Sequence, residues 1–373
     1  MGVTKISENV YSVGVLNPSL RIFDVIMKTE YGTSYNAYLI KNNGKCALVE
    51  TVHEKFFGEY LENIRSVLGD TAPDCLIMNH NEPDHSGSVA KLTDIYPGMI
   101  VIESKAGAMY IKNIANKELN IKTVSDNEVI DLGGDGLRFI VAPFLHWPDS
   151  MFTYFAKDKI LFTCDFLGAH FCEPTVFDYN VKYPIEYNQS FREYYNAIFA
   201  PFKPYVLSGL DKIKDIDFEI ACPSHGPILT KKDGGSLDDD IKRYATYSAP
   251  QKNEIFAKAR IPIFYCSAYG NTEKLAGYIK TGIQEIKPDT EVSIFDINFF
   301  PGGSGQIAET INSCDAFLLG SPTINRDAVA PVWELINAID AISMRDRPCA
   351  VFGSYGWSGE ACGNLISRLK GLK

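Results

Sequence analysis

The sequence predicts an α/β protein in two parts: an α/β sandwich over residues 1–250, then a doubly wound parallel sheet over residues 254–373. Three observations carry that expectation. From Asn9 to Val52 the pattern is β; strands and helices then alternate, and the candidate polar groups fall at strand ends. The stretch Tyr247-Ser248-Ala249-Pro250-Gln251-Lys252-Asn253 is polar and proline-bearing, and marks the boundary. Beyond it four apolar runs alternate with helical patterns, as a parallel sheet requires.

In the first part, residues 10–15 alternate as a strand, and residues 34–40 and 45–50 flank the hairpin signal Asn42-Asn43-Gly44. Residues 54–68 place Phe56, Phe57, Tyr60, Leu61, Ile64 and Leu68 on one helical face, a core stripe. A buried strand at 74–79 precedes a helix that starts at Val89. Residues 100–103 read as a strand, 105–114 as a helix, and 137–143 and 159–163 as two more strands. The patterns of 189–199 and 213–218 are mixed, and 241–247 reads as a closing helix. In the second part the strands are 261–266, 291–296, 316–321 and 348–353, with Pro262 weakening the start of the first. Helices fall at 273–286, 306–314, 329–339 and 360–369.

The composition excludes several classes. A length of 373 residues suits two domains, and 46% hydrophobic content fits a globular chain with full cores. A net charge of -10 without a Lys/Arg cluster argues against a nucleic-acid surface. No basic-then-apolar leader and no apolar run of membrane-spanning length is present, so a cytoplasmic protein is expected. Nine cysteines with no C-x-x-C disfavour a disulfide framework, a structural zinc site and a thiolate cluster.

The first part is organised around His80-Asn81-Glu82-Pro83-Asp84-His85, on the loop between the strand at 74–79 and the next helix. Asp84 and Ser86 could simply cap that helix. Two imidazoles and two carboxylates within six residues exceed what a cap needs, and their donor set suits iron, zinc or manganese. Three further candidates follow strands: His146 in Leu145-His146-Trp147-Pro148-Asp149, Asp165 after Phe162-Thr163-Cys164, and His225 in Pro223-Ser224-His225-Gly226-Pro227. With His85 left aside, three His and three carboxylates remain, enough for two metals with open positions.

The ordered set H-x-E-x-D-H, then His, Asp and His, resembles the metallo-β-lactamase fold. Glu82 at the third motif position, where hydrolases of that fold usually carry His, is similar to the diiron domain of the flavodiiron proteins. The run from Leu145 to Met151 resembles that family as well. The resemblance covers residues 1–250 and implies an αββα sandwich. It also implies that His80, Glu82 and His146 bind one iron, Asp84 and His225 bind the other, and Asp165 bridges. The two irons would stand on the order of 3.5 Å apart. His85 is expected just behind the ligands, holding a carboxylate or carrying protons. His170 and one of Tyr194 or Tyr195, with Tyr195 preferred, are expected at the substrate pocket.

Three loops of the second part leave the carboxyl ends of strands, where ligands bind in doubly wound sheets. They are Ser267-Ala268-Tyr269-Gly270-Asn271-Thr272, Ser321-Pro322-Thr323-Ile324-Asn325 and Ser354-Tyr355-Gly356-Trp357-Ser358-Gly359. The first alone could be a plain glycine-containing turn. As a helix amino end it can also hold a phosphate without Lys or Arg. Together the three loops look like flavodoxin, which binds FMN; Tyr355 and Trp357 suit a flat ring. A flavodoxin-like domain has five strands, and this chain reaches Lys373 after the helix that follows the fourth. The expectation is a shortened domain lacking its last strand and helix.

Both parts in this order resemble a flavodiiron protein, an oxidoreductase that reduces dioxygen to water or nitric oxide to nitrous oxide. The cofactors implied are two Fe and FMN. The partners implied are dioxygen or nitric oxide and a separate electron donor such as rubredoxin, a flavin reductase or a reduced deazaflavin. The resemblance further implies a head-to-tail homodimer, or a dimer of dimers, with no nucleic acid and no membrane. Two rivals remain: a zinc hydrolase with a flavodoxin-like appendage, against which Glu82 speaks, and a non-enzymatic flavodoxin-type electron carrier.

Overall fold

Two sheets lie face to face in the N-terminal unit of the computed structural model, which describes residues 2–24, 27–232, 234–249, 259–300, 306–307, 310–311, 313–339 and 347–372. The first has seven strands in the order Thr4–Lys5, Val10–Ser12, Tyr38–Asn42, Lys45–Val49, Cys75–Ile77, Ile100–Ser104 and Ile121–Val124. The second has six: Val129–Leu132, Asp135–Val141, Met151–Phe155, Ile160–Cys164, Ile220–Pro223 and Leu229–Thr230. Period-two alternation along each strand creates three apolar layers. Ile40, Ala47, Val49 and Ile77 meet Leu137, Phe139, Phe155 and Phe162 between the sheets. Leu39, Leu48, Leu76 and Val101 point the other way, onto Tyr60, Ile64, Leu68, Val89 and Ile111. Ile140, Phe152 and Leu161 face Phe191, Tyr194, Val206 and Tyr244 on the far side. This is the αββα sandwich.

Strand direction positions the site. Lys45–Val49, Cys75–Ile77 and Ile100–Ser104 are mutually parallel. In the second sheet Asp135–Val141, Ile160–Cys164 and Ile220–Pro223 also run one way, because Met151–Phe155 is antiparallel to two of them and the third pair is parallel. Their carboxyl ends therefore gather at one edge of each sheet.

Several predicted elements differ in the structure. The strand expected over 10–15 is broken into Val10–Ser12 and Val15–Asn17. At Gly14 between them, a Cβ would stand 2.3 Å from the Tyr35 carbonyl oxygen. The strand expected over 34–40 is likewise split into Thr33–Tyr35 and Tyr38–Asn42. The intervening Asn36 turns aside: its backbone N–H donates to Ser224 O at 2.8 Å, and Nδ2 donates to Pro223 O and Gly226 O at 2.8 Å each. The break thus ties the first sheet to the His225 loop. Of the mixed stretches, 189–199 resolves into the end of helix Pro184–Tyr194 and one π-helical turn at Tyr195–Phe199, whereas 213–218 is the turn between helix Lys203–Ile213 and strand Ile220–Pro223. The closing helix is Leu237–Ser248.

Contacts divide the chain into Met1–Ala249 and Pro250–Lys373. In the second unit four parallel strands stand in the order Glu291–Asp296, Arg260–Tyr265, Phe317–Pro322 and Cys349–Ser354, the flavodoxin-like arrangement without a fifth strand among the described residues. Pro262 is tolerated because its strand is paired on both sides only from Ile263 onward. Helices Asn271–Ile286, Ala330–Asn337 and Glu360–Lys370 cover the faces. The helix expected over 306–314 lies partly outside the described residues. Among the described residues no cysteine forms a disulfide. Among the described residues no helix is long and apolar enough to cross a membrane.

Candidate metal centre

Every metal-type group predicted in the first unit converges on one buried cluster. The strand Cys75–Ile77 delivers His80 and Glu82 on its exit loop, and Pro83 opens the short helix Pro83–Ser86, which turns Asp84 and His85 inward. Asp135–Val141 leads to His146, Ile160–Cys164 to Asp165, and Ile220–Pro223 to His225. At Asp165 the register shifts between Phe162 and Cys164, and Cys164 takes φ 50°, an irregularity that re-aims the next side chain.

Asp165 stands at the centre. Its Oδ2 lies 3.6 Å from His80 Nε2 and 3.3 Å from His146 Nε2. Its Oδ1 lies 3.1 Å from His85 Nε2 and 3.5 Å from His225 Nε2. Glu82 Oε2 closes the first half, 3.3 Å from His80 Nε2 and 3.2 Å from His146 Nε2. Asp84 closes the second, with Oδ2 3.0 Å from His225 Nε2 and Oδ1 3.4 Å from His85 Nε2. One carboxylate thus divides its two oxygens between two pockets, each with two imidazoles and one further carboxylate.

The donor atoms fit cations better than they fit one another. Both Asp84 oxygens and His85 Nε2 are buried without an aligned hydrogen-bond partner. The atoms of His80, Glu82, His85 and Asp165, and those of Asp84, His85 and His225, each lie within 4.8 Å of one another. Burial pushes the His85 imidazolium down, but Asp84 and Asp165 outweigh it and lift the group to about 10. Burial also opposes the charged forms of His80 and His146; Asp149 and Glu82 raise the first well above the usual range, and Asp165 and Glu82 raise the second. Burial would lift Glu82 and Asp165 as well, but the imidazoles hold both well below the carboxylate range. The cluster therefore binds protons where metal ions would displace them.

The outer contacts fix the imidazoles. His80 Nδ1 faces Asp149 Oδ1 at 3.2 Å, and Asp149 Oδ2 accepts from the Asn81 backbone N–H at 2.8 Å. His225 Nδ1 donates to Ser34 O at 2.6 Å. Both leave Nε2 as the lone pair aimed inward. Tyr194 donates its hydroxyl to Asp165 Oδ1 at 3.0 Å. Phe23 covers His170 with ring centroids 4.4 Å apart, and Trp147 sets its edge against His80 at 5.0 Å.

His85 Nε2 lies among the converging atoms, because the helical turn Pro83–Ser86 swings it to the same side as Asp84; it faces the carboxylates of Asp84 and Asp165, as expected, from a position that is also that of a candidate ligand. One expectation is corrected. Tyr195 is not at the pocket. Its hydroxyl pairs with Ser248 Oγ at 2.6 Å and its ring packs on Tyr244 and Tyr247, so the tyrosine that reaches the site is Tyr194. His170 does adjoin the cluster. Its ring lies 4.7 Å from that of His225, its Nδ1 is 2.9 Å from Thr33 Oγ1, and burial and His225 hold it well below the usual histidine range. Residues not singled out from sequence are Asp149, although it sits in the quoted His146 run, and Glu50, Phe23 and Asp24. Burial raises Glu50 to about 7; burial and a hydrogen bond with Glu82 raise Asp24 to about 7. Only their proximity in space reveals them.

In the second unit the three loops meet at the carboxyl ends of their strands. Thr272 Oγ1 pairs with Ser354 Oγ at 2.8 Å, and the Thr323 N–H donates to Ser354 O at 2.8 Å. Gly270 takes φ 77° at the start of helix Asn271–Ile286, and Ser267 Oγ is buried with no partner, a donor suited to an anion. Tyr269, Tyr355 and Trp357 are 91%, 68% and 77% exposed, free to cover a flat ring. Ser321 differs from expectation: it is fully buried and its hydroxyl accepts from the Val329 N–H at 3.1 Å, which occupies it within the protein. Pro322 is buried beside it, whereas Asn325, at φ 57°, lies on the exposed turn.

Comparison with known proteins agrees with this geometry. Residues 33–226 match the family described as ODP family beta lactamase, and residues 263–373 match flavodoxin. The flavo-diiron protein FprA2 of Clostridium acetobutylicum is 55% identical over 376 residues, spanning 100% of this chain and 92% of that one. The nitric oxide reductase of Moorella thermoacetica is 32% identical over 372 residues, spanning 99% and 90%. Among solved structures, the rubredoxin oxygen:oxidoreductase of the anaerobe Desulfovibrio gigas gives a TM-score of 0.70 at 28% identity, covering 99% of this chain and 90% of that one.

Proposed function

The chain belongs to the flavodiiron proteins, and from that premise we propose that it reduces dioxygen to water or nitric oxide to nitrous oxide at paired irons. The family is one of oxidoreductases that carry a diiron centre, and the flavodoxin domain indicates FMN. When bound, the iron pair supplies two electrons and open positions for a diatomic ligand, and FMN restores the electrons. The observation that carries the proposal is Asp165, whose Oδ2 faces His80 and His146 while its Oδ1 faces His85 and His225.

In this reading His80, Glu82 and His146 would hold one iron, Asp84, His85 and His225 would hold the other, and Asp165 would serve both. Asp149 and Ser34 orient two of the imidazoles. Phe23, Trp147 and Phe199 pack around the cluster and exclude water from it. In the second unit Ser267 and the amino end of helix Asn271–Ile286 hold the FMN phosphate, and Tyr269, Tyr355 and Trp357 cover the ring. The chain works as a head-to-tail homodimer with a separate donor such as a rubredoxin.

Metal and flavin analysis of the purified protein tests the class, and steady-state rates with oxygen and with nitric oxide test the substrate. Two irons and one flavin per chain, with turnover of either gas, is the expected result. Zinc in the site together with ester or lactam hydrolysis would overturn it. Mixing a Glu82→Ala/His146→Ala chain with a chain unable to bind FMN tests the dimer: heterodimers should recover activity, and none recovered would exclude transfer between chains.

A further inference from the structure

Beside the metal cluster lies a small recess, partly open to solvent on the side of Lys28, Glu30 and Glu193 and lined further in by Thr29, His170 and Tyr194, about 10 Å³ in volume and sized for a single water molecule. Two polar atoms at its wall lack protein partners. His170 Nε2 and Thr29 Oγ1 are both buried, and neither meets a hydrogen-bonding group among the described residues. Leaving a buried polar atom without a partner is costly, so two around one water-sized space point to an occupant that bonds both. Ser190 Oγ is already engaged with the His170 backbone carbonyl, so it does not compete for that occupant; the ring itself is set by its Nδ1 contact with Thr33 Oγ1 at 2.9 Å.

The cavity reaches the site and the surface. Tyr194 lines it and donates its hydroxyl to Asp165 Oδ1 at 3.0 Å. His170 Nδ1 is 2.9 Å from Thr33 Oγ1, itself 3.2 Å from His225 Nδ1. On the outer side Glu30 and Glu193 are exposed, and Gln189 Nε2 holds Glu193 Oε1 at 2.8 Å. We propose that this cavity holds one water, bound by Thr29 Oγ1 and His170 Nε2, that carries solvent protons to the metal centre through Tyr194.

The role rests on the reductase reading above. Both reductions consume protons: one dioxygen with four electrons takes up four protons to give two waters, and two nitric oxide molecules with two electrons take up two to give nitrous oxide and water. The electrons come through the flavin and the metal pair; the protons must come from solvent. In each relay step the water O–H bond to the travelling proton breaks as a bond to the Tyr194 oxygen forms. Tyr194 releases its own hydroxyl proton towards the oxygen or nitrogen being reduced beside Asp165, and the water regains a proton at the Glu30 and Glu193 side. No charge is left on either group. Thr29 and His170 are positioning residues, since they act by holding the water.

Thr29→Val keeps the shape and removes the hydroxyl; Thr29→Ser restores it. A high-resolution crystal structure of the parent protein should show water within hydrogen-bond distance of Thr29 Oγ1 and His170 Nε2, and Thr29→Val should lose it. At saturating donor and gas, Thr29→Val should turn over on the order of tenfold slower with a larger solvent deuterium isotope effect, iron and flavin content unchanged, and Thr29→Ser should recover both. Absence of the water overturns the site. Water present with an unchanged rate and isotope effect, or a slowing that Thr29→Ser does not reverse, overturns the relay. A parent protein without iron or gas turnover overturns the reductase reading instead, and the crystallographic result still decides the water site.

Discussion

Removing the carboxylate of Asp149 should weaken metal binding without disturbing any donor atom that faces the metal. Asp149 is 2% exposed and serves two donors, the His80 ring at 3.2 Å and the Asn81 backbone N–H at 2.8 Å. Hydrogen bonds to a charged acceptor contribute about 1.5–3 kcal/mol each, and only the one to His80 acts on the ligand itself. That agrees with a loss of about 10–100-fold in metal affinity, or roughly 1.4–2.7 kcal/mol, when the group behind a ligating imidazole is removed. Asp149→Ala should fall in that range. Asp149→Asn should do no better, for a specific reason. If its amide oxygen keeps the Asn81 N–H, its NH₂ faces His80 Nδ1 and favours the tautomer with hydrogen on Nε2, the atom aimed at the metal. Iron affinity by chelator competition reads the effect, and circular dichroism of the metal-free variants separates it from unfolding. Affinity within about threefold of the parent in both variants would refute the assignment of His80 as an oriented ligand.

Three further outcomes follow from the same geometry. Tyr194→Phe removes the hydrogen bond to Asp165 and should slow gas turnover, whereas Tyr195→Phe should leave turnover intact and cost about 1 kcal/mol in chemical denaturation through its lost bond to Ser248; the reverse pattern would restore Tyr195 to the site. In the metal-free protein His85 is raised from 6.5 to about 10, so its stabilising contribution is complete below pH 6.5 and is lost as pH rises through 10; burial of Glu50, raised from 4.5 to about 7, removes stability between those values as well. Melting temperature should therefore fall from pH 6 to pH 9 without metal and fall less with it, since metal binding displaces the same protons. Trp357→Ala, at a ring 77% exposed, should lower FMN affinity by about tenfold, read by recovery of flavin fluorescence on dilution, with iron content unchanged.

The fold class was readable because apolar alternation is dense in both units, and because Glu82 and the three loops at 267–272, 321–325 and 354–359 sit at fixed places relative to strands. What escaped sequence reasoning has physical causes. The breaks at Gly14 and Asn36 come from backbone contacts to Tyr35 and to the Pro223–Gly226 loop, partners about twenty and one hundred and ninety residues away that no local pattern encodes. The placement of His85 beside Asp84 turned on whether one residue lay in a loop or in the helical turn Pro83–Ser86, a difference smaller than the precision of any periodicity. The choice between Tyr194 and Tyr195 turned on a helix whose winding loosens into a π-helical turn at Tyr195, which rotates successive side chains away from the ideal spacing. Asp149 was visible in a motif, but its use as the support of His80 is a contact between the two sheets.

Those contacts between sheets explain why the centre sits where it does. The edge that carries the ligands is joined by polar bonds rather than by apolar packing. Thr153 Oγ1 donates to Asn79 Oδ1 at 2.7 Å and Met151 N–H to Asn79 O at 2.9 Å; Ser104 Oγ donates to Asp149 O at 2.8 Å; Tyr38 Oη donates to Pro223 O at 2.5 Å. The loops of His80, His146 and His225 are thereby each fixed by a bond that contains no metal-facing atom. Beside the same edge, Glu50, Phe144, Cys164 and Leu167 adopt positive φ without being glycine, a strain of about 1–3 kcal/mol each that the surrounding structure must hold. A frame that stores strain and supplies its own bonds arranges the donor atoms before any cation arrives. Imidazoles and carboxylates that hold protons between them are then left crowded on two points, and metal ions take the place of those protons. Pre-arrangement of this kind is what a centre needs if it is to keep a position open for a gas: the protein, and not the full complement of ligands, sets the geometry.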